Sequence, residues 1–286
     1  MTLELLDHTA VDLDGASRVT YLLDQRLHYA YDEPITSLRQ RLVVVPPLRH
    51  GNQYRRVHRV EVTGTSARRV WRRDPHGNTV VDLHARRVER AVEFRAAVLV
   101  ERVRQDGPTL LPLSALHDPR LLRPTRLTAA DDRLRDLAAG LPSGDPIELA
   151  QQICSMVHSA VRYEYGVTSV LTTAAEALAG GRGVCQDSAH VMLALCHIVG
   201  LPARYVSGHL LGEGGTHCWV EVVVPAGDAA VAVPFDPCND RQAGFGYVTV
   251  ATGRDYNDVA PTSGHYLGTP NNTLATSRRV GVLSAA

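Results

Sequence analysis

Apolar and polar residues alternate with a period of two over the first third of the chain, from residue 16 to about 105. Runs such as VTYLLDQRLHYAY and AVEFRAAVLVERV show the pattern, and DPHGN separates two further runs. Such alternation predicts antiparallel strands with one face toward a core and one toward water, and DPHGN predicts a hairpin. We therefore expect residues 1–105 to form an antiparallel β-sandwich-like domain.

Many polar residues in these runs are arginines, but the charge of the whole chain is balanced. The 30 basic residues and 30 acidic residues give a formal net charge of +0. Balanced charge argues against a polyanionic partner, so we interpret the arginines as the solvent-facing side of the strands and expect no nucleic-acid or membrane partner.

The cellular compartment is predicted from three absences in the sequence. No run approaches 18 apolar residues, and the N-terminal stretch lacks the apolar region of a secretion signal. The five cysteines form no CxxC pair. We therefore expect free thiols, a cytoplasmic location, no metal ion and no cofactor.

The pattern of apolar and polar residues changes after a connector rich in Pro and Leu at residues 106–127. Asp145 followed by Pro146 is typical of a helix start, and GVCQDSAHVMLALCHIVG predicts a buried helix that ends at Gly200. Three runs with a period of two follow: ARYVSGHLL, HCWVEVVVP and AVAVPFDP. Residues 128–286 are therefore predicted to be α+β, with helices packed on an antiparallel sheet.

A cysteine stands at the first turn of the predicted buried helix. Unpaired N–H groups and the helix dipole stabilise a thiolate there, and Gly181 and Gly183 before Cys185 allow a sharp turn. A lone cysteine at a helix start is more often a packing residue. His217 begins the second of the following runs and Asp236 ends the third, so a base and an acid that orients it would lie side by side on neighbouring strands.

The stretches GVCQDSAH, GLPARYVSGHL, THCWVEVVVP and FDPCND resemble the bacterial transglutaminase-like family, whose core is papain-like. GRDYNDVAP at 253–261 fits the C-terminal pattern of that family, and HYAYDEP resembles the β-domain that precedes the core in a bacterial subgroup. The resemblance implies Cys185 as nucleophile, His217 as base and Asp236 as orienting acid. Cys218 and Cys238 depart from the alanine and threonine that are more usual there.

Other residues near these motifs are candidates for oxyanion or substrate contacts: Tyr163, Tyr165, Gln186, Asp187, His209 and Trp219. Each also has a structural interpretation. The tyrosines could be buried at a helix end, Asp187 could favour the helix N-terminus, and Trp219 could fill the core. Cys218 follows His217 on a strand and is expected on the opposite face, in the core or away from substrate.

Together these features predict an enzyme that attacks an amide of a peptide or protein through a Cys-His-Asp triad. The chain contains no lysine, and relatives of this layout resemble hydrolases, so a peptidase or amidase is favoured over a crosslinking transglutaminase. The alternative is a non-catalytic transglutaminase-like module that binds peptides. The resemblance also suggests a peptide-ligase-type partner protein.

Overall fold

The computed structural model describes residues 5–142, 144–269 and 271–286. Strands occupy the alternating region: β1 (Arg18–Tyr31), β2 (Ile35–Val45), β3 (Arg49–His50), β4 (Gln53–Thr63), β5 (Ala67–Arg73), β6 (Thr79–Val88) and β7 (Ala91–Val103). Buried and partly exposed residues alternate along most of β7, as predicted. The predicted hairpin is also present, because β5 and β6 pair around residues 74–78, where the Asp74 carboxylate accepts hydrogen bonds from two backbone N–H groups.

The region after β7 mixes helices with strands, as predicted. Its helices are α1 (Pro119–Leu122), α2 (Asp132–Ala139), α3 (Pro146–Ala160), α4 (Ala174–Gly180), α5 (Cys185–Ile198) and α6 (Tyr256–Val259). Its strands are β8 (Thr109–Pro112), β9 (Arg162–Tyr163), β10 (Arg182–Gly183), β11 (Ala203–Leu210), β12 (His217–Ala226), β13 (Ala229–Asp236), β14 (Arg241–Gln242), β15 (Tyr247–Gly253), β16 (Thr262–Leu267) and β17 (Asn272–Ala285). Within the described residues, no helix has the length and apolar character needed to cross a membrane.

Two sheets pack face to face and form a β-sandwich unit. One has the order β17-β1-β7-β4-β3 and the other the order β16-β2-β6-β5. Leu27 and Phe94 of the first sheet share a hydrophobic cluster with Ile35 and Leu83 of the second. The predicted N-terminal sandwich is therefore confirmed.

The C-terminal strands belong to this sandwich, although the sequence grouped them with residues 128–286. β16 pairs with β2, and β17 pairs with β1 along nearly its whole length. Val280 and Val282 of β17 pack against the cluster that contains Tyr21 and Leu23 of β1. Burial of this apolar face explains why β17 pairs with β1. Periodicity alone does not show which sheet edge a distant strand joins.

The second unit is a central sheet of order β14-β13-β12-β11-β15, with β8 of the connector added beside β13. Helix α5 packs on one face, where its buried residues share a cluster with Val220, Val222 and Val224 of β12. This is the predicted cysteine-bearing helix on an antiparallel sheet.

The sandwich unit covers the outer edge of β15. The Gln53 side-chain amide pairs with the backbone N–H and C=O of Thr249, at 2.8 and 2.7 Å. The Asn78 amide pairs in the same way with Thr252, at 2.8 and 2.7 Å. These amides form hydrogen bonds with backbone groups of an edge strand that would otherwise be unpaired. They also fix the two units against each other.

Candidate active site

Helix α5 begins at Cys185, so the candidate nucleophile lies in the first turn, where backbone N–H groups have no partner inside the helix. The Asp187 carboxylate accepts hydrogen bonds from the Val184 backbone N–H and the Thr168 hydroxyl, both at 2.7 Å. Gly183 packs tightly against it, and a Cβ atom on Gly183 would lie 2.5 Å from its Oδ2. Asp187 and Gly183 together therefore shape the turn that presents Cys185.

His217 and Asp236 meet because they lie at adjoining ends of β12 and β13, which pair in antiparallel register. The Nε2–H of His217 donates a hydrogen bond of 2.7 Å to Oδ2 of Asp236. Both side chains are almost completely buried, with 2% and 0% of their surface exposed. In this geometry Nε2 is bound to the carboxylate and Nδ1 remains available for other contacts.

Further donors surround the Asp236 carboxylate. The Tyr247 hydroxyl donates to Oδ2 at 2.6 Å and the Asn239 amide donates to it at 2.8 Å. The backbone N–H of Cys238 donates to Oδ1 at 3.0 Å. Burial alone would raise the pKa of Asp236, but the hydrogen bonds and the charge of His217 outweigh it, so the net pKa is lowered. The carboxylate therefore stays ionised and fixes the imidazole.

Cys185 lines the same cavity as the Cys218 and His217 side chains, and both of them favour its thiolate form. The Cys218 thiol has the largest effect and, with His217, outweighs burial and lowers the pKa of Cys185 to about 5. Burial would lower the pKa of His217, but its interactions with Asp236, Cys185 and Glu213 raise it well above the ordinary value. Near neutral pH the pair is therefore a thiolate beside an imidazolium.

Glu213 lies on the glycine-rich loop that precedes β12. Its Oε2 is 3.2 Å from Nδ1 of His217, and 44% of its side-chain surface is exposed. The loop thus carries a carboxylate to the nitrogen that Asp236 does not bind. This contact stabilises the protonated form of His217.

A cavity of about 730 Å³ lies over Cys185 and His217. One wall comes from the central unit, including Tyr163, Glu213 and Tyr256. The opposite wall comes from the sandwich unit and consists of Leu27, Thr262, Leu274, Thr276 and Arg278. The candidate active site therefore lies between the two units, and β17 supplies much of its second wall.

Two family models match parts of this chain. Residues 135–237 match the transglutaminase-like superfamily, and residues 21–101 match the bacterial transglutaminase-like N-terminal region. An uncharacterized protein of Mycobacterium leprae is 30% identical over 260 residues, which are 84% of this chain and 90% of that protein. The chain belongs to the bacterial transglutaminase-like family.

Two further proteins are similar to this chain. The uncharacterized Mycobacterium tuberculosis protein Rv2569c is 29% identical to this transglutaminase-like chain over 94% of both proteins. The crystal structure of "a putative cysteine protease" from Cytophaga hutchinsonii superposes with a TM-score of 0.75, covering 93% of this chain and 91% of that one. The two sequences are 22% identical, so this likeness shows a shared fold.

The two tyrosines predicted near the transglutaminase-like site are at the cavity rim. Tyr163 is 61% exposed and Tyr165 is 86% exposed. The interpretation that they are buried at a helix end is therefore wrong. Burial and the charge of Cys185 both raise the pKa of Tyr163, so its hydroxyl remains a neutral donor.

Gln186 and Asp187 follow Cys185 but differ in their surroundings. Gln186 is buried and lines the cavity, and within the described part of the chain its Nε2 has no hydrogen-bond partner. Asp187 is 1% exposed, and its Oδ2 is engaged by Val184 and Thr168. The structure thus places Gln186 where a substrate could meet it, and Asp187 in support of the helix start.

His209 and Trp219 lie behind the cavity. The Nδ1–H of His209 donates to the Gly215 carbonyl at 3.3 Å, and burial lowers the pKa of His209 to about 4, so this neutral ring anchors the glycine-rich loop. The Trp219 ring stacks on His217 with a centroid distance of 6.3 Å and meets Tyr247 edge-on at 5.3 Å. Trp219 therefore both fills the core and shields the imidazole.

Sequence reasoning missed three contacts of the site: Cys218, Glu213 and Tyr247. Cys218 lies in the core, as predicted, but it also lines the cavity. The strand face that carries Cys218 is the one on which α5 packs, so Cys185 approaches from that side. Within the described ranges, no group of three or more His, Cys, Asp or Glu side chains is placed to hold a metal ion.

Proposed function

We propose that this transglutaminase-like chain hydrolyses an amide bond of a peptide or protein through Cys185, His217 and Asp236. The observation that carries the proposal is the position of His217, which bonds Asp236 through Nε2 at 2.7 Å, lines the same cavity as Cys185 and lowers the pKa of that thiol. A thiolate held by a base that is itself oriented by a carboxylate is the arrangement that thiol acyl transfer requires.

In the first half of the reaction, the Cys185 thiolate attacks the carbonyl carbon of the amide. The C–N bond then breaks as His217 gives its proton to the departing nitrogen, which leaves as an amine. The acyl group remains on Cys185 as a thioester. Asp236 keeps the imidazole in one orientation and stabilises its charged form throughout.

The proposal assigns two groups to stabilise the negative oxygen that forms during attack. One is the backbone N–H of Cys185, which is unpaired at the start of α5. The other is Nε2 of Gln186, a buried donor that lines the cavity and has no partner among the described residues. In the proposed mechanism both donors bind the oxyanion.

In the second half, water attacks the thioester while His217 removes its proton, and the carboxylic acid is released with the thiolate restored. Hydrolysis is favoured over transfer to an amine because the rim of the cavity is open to solvent. Tyr165 at this rim is 86% exposed. Water therefore reaches the thioester without passing through a closed channel.

The test offers glutaminyl peptides with an excess of a small primary amine and follows the products by mass spectrometry. We expect free acid or cleaved peptide from the wild type and neither product from Cys185→Ala. If the amine adduct dominates, the reaction is amine transfer and the proposed hydrolysis is wrong. If no peptide reacts and iodoacetamide labels Cys185 no faster than the other thiols, the chain is a binding module.

A further inference from the structure

Arg278 is a cation of the cavity wall that has no counter-ion in the described part of the protein. It lies on β17, and side-chain alternation places it on the inward face that carries Val280 and Val282. It lines the same cavity as Cys185 and His217. Its Nε atom is buried, and within residues 5–142, 144–269 and 271–286 this atom has no hydrogen-bond partner.

In the described part of the chain, Tyr256 is the one titratable group that affects the pKa of Arg278. The groups whose ionisation Arg278 influences include Tyr256 and His209. Burial raises the pKa of Tyr256, and burial lowers that of His209 to about 4, so both are neutral near pH 7. The Glu213 carboxylate contacts His217 instead. A partly desolvated guanidinium without an anionic partner is unfavourable. Binding of an anion at this position would therefore lower the free energy.

A second unpartnered donor lies beside Arg278. Gln25 of β1 is directly opposite Arg278 in the β1–β17 register. Gln25 is 5% exposed, and its Nε2 also has no hydrogen-bond partner among the described residues. Gln25 is outside the lining of the cavity, so among the described residues it gives Arg278 no anionic partner and the guanidinium itself is the group that can meet a substrate carboxylate.

We propose that Arg278 binds a carboxylate of the substrate, so that the preferred substrates are peptides that carry a free carboxylate near the amide bond that is cleaved. This inference rests on the proposed function. It assigns the sandwich unit a direct part in substrate selection, because β17 brings Arg278 to the cavity. Arginine suits this task, since its planar guanidinium binds a carboxylate through two parallel hydrogen bonds.

The experiment uses two libraries of N-acetylated tetrapeptides. In one library, aspartate, glutamate and the C-terminus are free carboxylates, and in the other each is the corresponding amide. We expect the wild type to prefer the carboxylate library in kcat/KM by about 10- to 100-fold, the range of one charge-assisted hydrogen bond. Arg278→Gln should lose this preference, mainly through a higher KM for the carboxylate library.

Arg279→Gln is the matched control, because Arg279 is exposed and faces away from the cavity toward Asp24. It should retain the preference. Arg278→Lys keeps the charge but loses the two-pronged geometry, so a smaller preference is expected. If Arg278→Gln does not fold, Arg278→Lys decides: an undiminished preference overturns the inference.

Binding to the Cys185→Ala protein separates this inference from the proposed function. Equilibrium dialysis with both libraries, read by mass spectrometry, should show enrichment of carboxylate peptides that Arg278→Gln abolishes. Equal binding of the two libraries, or enrichment that survives Arg278→Gln, would overturn the carboxylate site even if hydrolysis is observed. Enrichment without any hydrolysis by the wild type would support the site and reject the proposed reaction.

Discussion

The reactivity of Cys185 depends on a neighbouring thiol as well as on the histidine. The Cys218 thiol lines the cavity with Cys185 and is the largest cause of the lowered pKa of Cys185. Burial raises the pKa of Cys218 itself, so it remains a protonated donor. Cys218 thus acts on the nucleophile through its S–H group.

We predict that Cys218→Ala raises the pKa of Cys185 by about one unit, since a hydrogen bond to a charged group contributes about 1.5 kcal/mol. The rate of iodoacetamide labelling against pH measures this value. In the wild type, labelling at pH 6 should be specific for Cys185. Cys196→Ala removes a buried thiol of the core and should leave the profile unchanged. An unshifted profile in Cys218→Ala would contradict the assigned contact.

The Tyr247 hydroxyl donates to Oδ2 of Asp236, the same oxygen that accepts a hydrogen bond from His217. We predict that Tyr247→Phe lowers kcat about three- to tenfold with little change in KM, because loss of one hydrogen bond loosens the group that orients the base. Steady-state hydrolysis of a reactive peptide measures both constants. Tyr21→Phe is the control, because that buried hydroxyl donates to the Phe245 carbonyl instead. Equal losses in both variants would indicate a general effect on stability.

At the scale of elements, the start of α5 depends on Asp187. We predict that Asp187→Ala lowers the free energy of unfolding by about 1–2 kcal/mol, because its carboxylate accepts hydrogen bonds from Val184 and Thr168. Urea denaturation measures the change. Asp132 stands in the first turn of α2 with 97% of its side chain exposed, and Asp132→Ala should change stability by less than about 0.5 kcal/mol. Similar losses in the two variants would contradict this role.

The elements that carry the triad could be predicted because each has a local signal. The helix that begins at Cys185 and the strands that begin at His217 and end at Asp236 follow from periodicity and turn residues. The position of β17 has no such signal, because pairing with β1 joins opposite ends of the chain. For the same reason Arg278 could not be placed at the cavity from its sequence neighbours.

At the scale of the whole molecule, a buried ionic cluster connects the sandwich unit to the central sheet. Glu221 of β12 bonds His50 of β3 at 2.6 Å and Nε of Arg204 at 2.7 Å. Burial alone would raise the pKa of Glu221, but His50 and Arg204 outweigh it and lower the pKa to about 2. A carboxyl with a depressed folded-state pKa stabilises the protein above its unfolded-state pKa of about 4.5. That stabilisation is lost as the pH falls toward 2.

We predict that Glu221→Gln lowers the free energy of unfolding at pH 7 by about 3–5 kcal/mol, because it leaves a buried cation without its partner. It should also flatten the loss of stability between about pH 4.5 and 2. Urea denaturation at several pH values measures both effects. Glu101→Gln is the control, since the arginines that pair with Glu101 are half exposed, and about 0–1 kcal/mol is expected. If Glu221→Gln lost as much stability on acidification as the wild type, the assignment would be contradicted.

The pairing of β1 with β17 sets an order of events during translation. β1 leaves the ribosome early, but its outer partner, residues 272–285, leaves only after the whole central unit. Until then one edge of β1 has no strand beside it, and one wall of the cavity is missing. Since chains emerge from the N-terminus at about 5–20 residues per second, a nascent chain would hold its nucleophile for some seconds before it could select a substrate. Completion of the cavity wall therefore waits until β17 has been synthesised and has paired with β1.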